Sequence, residues 1–104
     1  MPLLEIVGQN GVDALETMTP PDIGGDCDLA EAVRRVGDKL FFIGGFDQNA
    51  GFENGTPEKV KEMVFKLHAV CTEGGCICSP SDHFFFGNPE NIRAFVEAAK
   101  ECKY

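Results

Sequence analysis

Apolar positions along this chain follow two alternating rhythms, one with the period of a helix and one with the length of a buried strand. From Pro2 to Val7, Leu3, Ile6 and Val7 share one side, which reads as the end of a helix with Gly8 and Gly11 at its exit. Val12-Asp13-Ala14-Leu15-Glu16-Thr17 reads as a short strand, and the Pro- and Gly-rich stretch from Met18 to Asp26 as irregular loop. Asp28 opens a second helix. Its carboxylate is placed to cap the first turn while Glu31 reaches back as in a capping box, and Leu29, Ala32, Val33 and Val36 form the stripe up to Gly37-Asp38. Leu40-Phe41-Phe42-Ile43 is a continuous apolar run, expected to be a strand buried on both faces and ending in Gly44-Gly45-Phe46-Asp47. Thr56-Pro57-Glu58 starts a third helix with Thr56 as its cap, and Val60, Met63, Val64, Leu67 and Cys71 recur at helical spacing. Two glycines, Gly74 and Gly75, close that segment, and Cys76-Ile77-Cys78 is the next run of strand length. Asn88-Pro89-Glu90 starts the last helix, with Ile92, Phe95, Val96 and Ala99 as its stripe and Lys100 at its negative end.

The order is helix, strand, helix, strand, helix, strand, helix. Such alternation predicts an α/β fold with three parallel strands among four helices, joined by right-handed crossovers, and a single domain over residues 1–104. Three parallel strands leave both sheet edges open to pairing with another chain. A homodimer or higher oligomer, or a partner segment covering the edges, is therefore expected.

Charge narrows the partners. A formal net charge of -8 gives nucleic acid or an anionic membrane nothing to gain from this surface, and no basic cluster reverses that locally. The absence of a bilayer-length apolar run or an apolar leader leads to the expectation of a soluble, cytoplasmic chain. The five cysteines lack the spacing of a secreted disulfide framework and are expected to be reduced thiols. Cys71 and Cys102 fall on apolar helix faces, where a thiol packs as a small hydrophobe, and Cys27 sits beside Asp26 and Asp28, which would raise its pKa.

Chemistry-bearing groups gather after each strand: Glu16 and Thr17, then Asp47 and Gln48, then Ser79, Ser81, Asp82 and His83. The last set follows a buried strand and precedes a helix, which is how open α/β sheets and barrels build their sites. His83 and Asp82 are the candidate catalytic groups, His83 because its charge can change near neutral pH. Glu16, Asp47, Ser79, Ser81 and Phe84 are the candidate substrate contacts, although a Phe84-Phe85-Phe86 loop is equally suited to packing on a neighbouring element. A solvated polar loop is the competing reading of the whole stretch. His68 borders a helix stripe, far from the strand ends, and reads as structural. Cys76 and Cys78 are two apart, so on a strand they face the same way and would present two thiolates to zinc, with His83 as a third donor. Their apolar flanks argue against it, and the expectation is no stoichiometric metal. No serine lies on a nucleophile elbow, and Cys78 has no cationic partner nearby in sequence.

Gly11-Val12-Asp13-Ala14-Leu15-Glu16 with Thr19-Pro20-Pro21, then Ile43-Gly44-Gly45-Phe46-Asp47, then Ser79-Pro80-Ser81-Asp82-His83 and Pro89-Glu90-Asn91 resemble, in order, the carboxyl-terminal portion of the uroporphyrinogen decarboxylase family. That superfamily also contains cobamide-dependent methyltransferases. The resemblance covers essentially the whole chain. It implies a (β/α)8 barrel of which this chain supplies the last strands and helices, with Glu16, Asp47, Asp82 and His83 contributing to the mouth. It further implies cofactor-free decarboxylation of porphyrinogen acetate side chains in the intact barrel. The alternatives are corrinoid-dependent methyl transfer, with a corrinoid methyl donor and zinc as cofactors, and a non-catalytic assembly module formed by a truncated barrel. The family's last-strand histidine falls at Asp82 or His83, depending on a one-residue choice of alignment. Its Gly-Asn-Leu-Asp-Pro turn becomes Gly44-Gly45-Phe46-Asp47-Gln48, and its substrate-binding arginines and central aspartate lie in the amino-terminal part that this chain lacks. The Thr-Pro-Pro and Ser-Pro-Ser-Asp-His loops lean toward the methyltransferase branch, whose zinc-binding cysteine is replaced here by Ser81 or Asp82.

Overall fold

The computed structural model describes residues 3–16, 18–21, 25–71, 74–81 and 83–102; Thr17, Asp82 and part of the Met18-to-Asp26 loop (22–24) lie outside the described residues. Strands β1 (Ala14–Glu16), β2 (Phe41–Phe46) and β3 (Cys76–Pro80) form one sheet in that order, and both pairings are parallel. Helices α1 (Leu4–Gly8), α2 (Leu29–Val36), α3 (Pro57–Val70) and α4 (Pro89–Glu101) alternate with them. The α/β alternation is the one the apolar rhythm predicts, and it is consistent with part of a β/α barrel.

Register decides which side of the sheet is covered. Leu15, Phe42 and Cys76 lie in one row across the strands, and Gly44 pairs with Cys78 in the next. Those positions face the helices: Phe42 packs with Leu4, Ala32 and Val36, while Phe46 packs with Val60, Val64, Ala94 and Ala98. The opposite side carries Phe41, Ile43 and Ile77, with Phe41 60% and Ile77 59% exposed. All four helices thus cover one face and leave an apolar face bare. This corrects the expectation that β2 is buried on both sides. It also runs further than expected, through Gly44 and Gly45, which take the left-handed backbone region (φ 119° and 88°) that side chains resist.

Helix starts are as the sequence implies, with one change. The Thr56 side chain accepts from Lys59 N at 3.2 Å, and Asn88 from Glu90 N at 2.9 Å. Asp28 accepts from Glu31 N at 3.2 Å, but Glu31 turns outward to pair with Arg34 instead of closing the capping box. In α1 the buried residue is Leu4, not Leu3 or Ile6, which are exposed. In α4 the inward face is Asn91, Ala94 and Ala98, while Val96 and Ala99 point away.

Asn91 explains that rotation. Its Nδ2 lies within 3.0–3.3 Å of the carbonyl oxygens of Gly51, Phe52 and Gly55, which belong to a turn of π-helix (Asn49–Glu53) and its exit. A π-turn leaves backbone groups out of the regular ladder, so a buried amide is needed to satisfy them. Small neighbours, Ala94 and Ala98, let α4 approach closely enough for that amide to reach. Nothing in the spacing of apolar residues announces such a turn.

Candidate functional site

Parallel pairing carries the three strand exits to one edge of the sheet, where β1 ends at Glu16, β2 hands over to Asp47 and β3 hands over to Ser81. Ser81 knits these exits together. It is 2% exposed; its Oγ accepts from Gly45 N at 3.0 Å and donates to Met18 O at 3.3 Å, and its own N–H donates to Phe46 O at 3.0 Å. Met18 N in turn reaches Ile43 O at 3.4 Å. One hydroxyl therefore links the loops after β1, β2 and β3. The hydroxyl of Ser81, expected from sequence as a substrate contact, is engaged here as a buried tie.

Several other candidates are similarly engaged. The Asp47 carboxylate accepts from Ala50 N at 2.9 Å and so caps the π-turn that follows. Ser79 Oγ donates to Pro80 O at 3.3 Å. Phe84 folds back onto Phe52 with ring centroids 4.9 Å apart, while Phe85 and Phe86 stand 82% exposed beside it. Phe52 also meets Phe46 at 4.9 Å and Phe95 at 5.3 Å, which makes the β3–α4 loop an extension of the core. His83 is exposed on that loop, and Asp82 lies outside the described residues. Glu16 is exposed and lines a cleft of about 520 Å³ with Leu4, Met18, Asp26 and Cys27. Asp47 lines a different groove, with Lys59 and Lys66. The strand ends thus bring Glu16, Asp47 and His83 to the same edge, with Glu16 and Asp47 in separate concavities.

The cysteines depart from the sequence reading. Cys71 and Cys76 are joined by a disulfide, their Cα atoms 6.0 Å apart, which corrects the expectation that all five thiols are reduced. Cys71 is the carboxyl cap of α3 and Cys76 opens β3; Gly74 and Gly75, at φ 88° and 86°, turn the chain between them. Cys76 is therefore not available as the thiolate imagined beside Cys78 and His83. Among the described residues, no group of three or more His, Cys, Asp or Glu side chains is placed to hold a metal. Burial pushes the Cys27 thiol above its ordinary range, and Asp26 and Asp28 add to the effect, so the raised value expected from sequence has burial as its larger cause. His68 is half-buried at the end of α3, away from the strand exits.

Strands, one-sided helices and a polar rim together define an α/β unit consistent with part of a β/α barrel. No family model matches the sequence. Over 98 residues, 93% of its length, the chain is 36% identical to a uroporphyrinogen decarboxylase of Neisseria meningitidis, and the match covers 24% of that protein. The chain thus spans about a quarter of this relative. Among the described residues no helix is long and apolar enough to cross a membrane.

Proposed function

We propose that this chain acts as the carboxyl-terminal segment of a uroporphyrinogen decarboxylase-like barrel, presenting His83, Asp82 and Glu16 at the mouth. The observation that carries the reading is the bare apolar face of the sheet. A doubly wound sheet is covered by helices on both sides, whereas a barrel keeps its helices outside and turns the other face toward its own interior. Phe41, Ile43 and Ile77 lie on the side that such an interior would bury. In the completed barrel, His83 and Asp82 serve acid–base chemistry on a porphyrinogen acetate group, and Ser81 and Asp47 position the rim. The partner is the missing amino-terminal strands or, in their absence, another copy pairing through the open edges of β1 and β3.

The net charge of -8 favours a second reading. A polycarboxylate substrate is repelled by this surface, so corrinoid-dependent methyl transfer suits the segment better unless the remaining barrel is basic. One experiment separates them. Mixing the chain with the amino-terminal strands of a homologous barrel is expected to restore decarboxylation, and His83→Ala to remove most of it. Restored activity that survives His83→Ala would take that residue out of the site, and methyl transfer without decarboxylation would select the second reading.

A further inference from the structure

Asn-Gly occurs twice in the chain, at Asn10-Gly11 and Asn54-Gly55. In this dipeptide the side-chain amide is open to attack by the following backbone nitrogen, because glycine has no side chain to shield that nitrogen and its dihedrals turn freely. The fold treats the two pairs differently. Asn54 is pinned on the π-turn: its Nδ2 donates to Asn49 O at 2.9 Å and to Asn49 Oδ1 at 3.2 Å, and Gly55 N–H donates to Gly51 O at 3.0 Å. Gly55 is also walled in, since a Cβ there would lie 2.6 Å from the carbonyl oxygens of Ala50 and Gly51. Asn10 and Gly11 sit exposed in the turn between α1 and β1, with Gly11 at φ 91° and open space around it. Among the described residues nothing accepts a hydrogen bond from Gly11 N–H. Asn10 Oδ1 accepts from Val12 N–H at 3.2 Å, so the side chain reaches forward over Gly11 and its amide carbonyl is polarised.

We propose that Asn10 is a site of spontaneous self-modification, converted to aspartate and isoaspartate through a succinimide, and that the π-turn protects Asn54 from the same reaction. Gly11 N forms a bond to Asn10 Cγ, its proton passes to Nδ2, and the Cγ–Nδ2 bond breaks to release ammonia. As Cγ becomes tetrahedral, negative charge gathers on Oδ1, where Val12 N–H already stands to stabilise it. Water then opens the ring. Breaking the bond from Gly11 N to Cγ gives aspartate, and breaking the bond from Gly11 N to the main-chain carbonyl carbon gives isoaspartate. Neither step needs an oxidant or a reductant. At Asn54 the amide and the Gly55 N–H must first leave their partners. The product places a new carboxylate beside the carbonyl end of α1, where negative charge is unfavourable, on a chain already at -8. The isoaspartate form also lengthens the backbone by one methylene shortly before β1, whose pairing spans only Ala14–Glu16 against Phe41–Ile43. Phe41 N–H donates to Asp13 O at 2.9 Å at the start of that pairing, so modification loosens the open edge strand there first. The proposal is independent of the barrel reading.

The test incubates the full chain in mildly alkaline buffer and follows both Asn-Gly pairs by peptide mapping with mass spectrometry. In the folded chain Asn10 is expected to convert at least about tenfold faster than Asn54, because only Asn54 must break hydrogen bonds before its ring can close. Its products should include isoaspartate, which direct hydrolysis of the amide cannot make. In guanidinium chloride the two rates should become equal, since both pairs then share the same freedom. Asn10→Gln should abolish the fast conversion and leave that of Asn54 unchanged. Equal rates in the folded chain overturn the proposal, as does a difference that persists in denaturant, which would assign it to flanking sequence rather than to the fold. Aspartate without isoaspartate overturns the succinimide route. The isoaspartate form, separated by anion exchange, should show faster hydrogen exchange at Phe41 N–H than the parent, and unchanged exchange there overturns the predicted loosening of β1.

Discussion

The two faces of the sheet are made from the same kinds of residue and have opposite surroundings. On one, Phe46 is fully buried, with Phe52 and Phe95 rings 4.9 and 4.8 Å away. On the other, Phe41 and Ile77 meet solvent although neither is less apolar. Exposed apolar area of this kind on a sheet is a surface that another element is built to cover. Side-chain chemistry alone therefore does not say what is core; the position of the helices does.

Truncation should expose that difference most strongly. Phe46→Ala removes a ring from a closed aromatic cluster and is expected to cost about 3–5 kcal/mol, read as a shift of the urea midpoint at constant slope. Phe41→Ala in the isolated chain should stay within about 0.5 kcal/mol of the parent, since little is lost where little is buried. A cost for Phe41→Ala near that of Phe46→Ala would mean that the bare face is covered in solution by a second copy. Light scattering across a dilution series then decides: a mass of one chain at every concentration, together with a large Phe41 effect, would contradict the one-sided architecture.

The rim supplies the next largest effect. Ser81→Ala leaves Gly45 N and Met18 O without the hydroxyl that joins them, which is expected to cost about 1–3 kcal/mol. Hydrogen exchange at Gly45 should accelerate in the variant. Unchanged exchange there would show that the three strand exits are held by their backbone bonds alone.

Much of this was legible beforehand, and the exceptions share a cause. Helix starts follow from local chemistry: Thr56 and Asn88 need only a free N–H two or three residues on. The parallel sheet follows from alternation. What the sequence concealed depends on partners distant in the chain. Ser81 reads as a site residue because a serine after a strand is polar and near the mouth, yet its partners are Gly45 and Met18. Asn91 reads as an early helix residue beside a stripe, yet its partners are the carbonyls of residues about a helix and strand earlier. Cys71 and Cys76 are close in sequence, and there the cause is different: the reduced-thiol expectation rests on the lack of a secreted framework's spacing and on the apolar helix face that carries Cys71, whereas the Gly74-Gly75 turn brings the two together. Of the candidate site, the edge on which it sits was legible from topology, but not the separation of Glu16 and Asp47 into different concavities.

The smallest expected effect lies outside both faces, where α1 is held to α2. Arg35 donates to Glu5 through Nε at 2.6 Å and Nη2 at 2.5 Å, and this pairing holds the Glu5 carboxyl below its ordinary range. A carboxyl whose folded pKa is lowered contributes stability above its unfolded pKa and loses it as pH falls through the folded value. Acidification from neutral pH should therefore narrow the gap in urea midpoint between the parent and Glu5→Gln, and added salt at neutral pH should narrow it too, because the pair is solvent-exposed. A gap that persists once the carboxyl is protonated would assign the contribution of Glu5 to packing against α2 rather than to charge. α1 would then be attached by its buried Leu4 rather than by the ion pair.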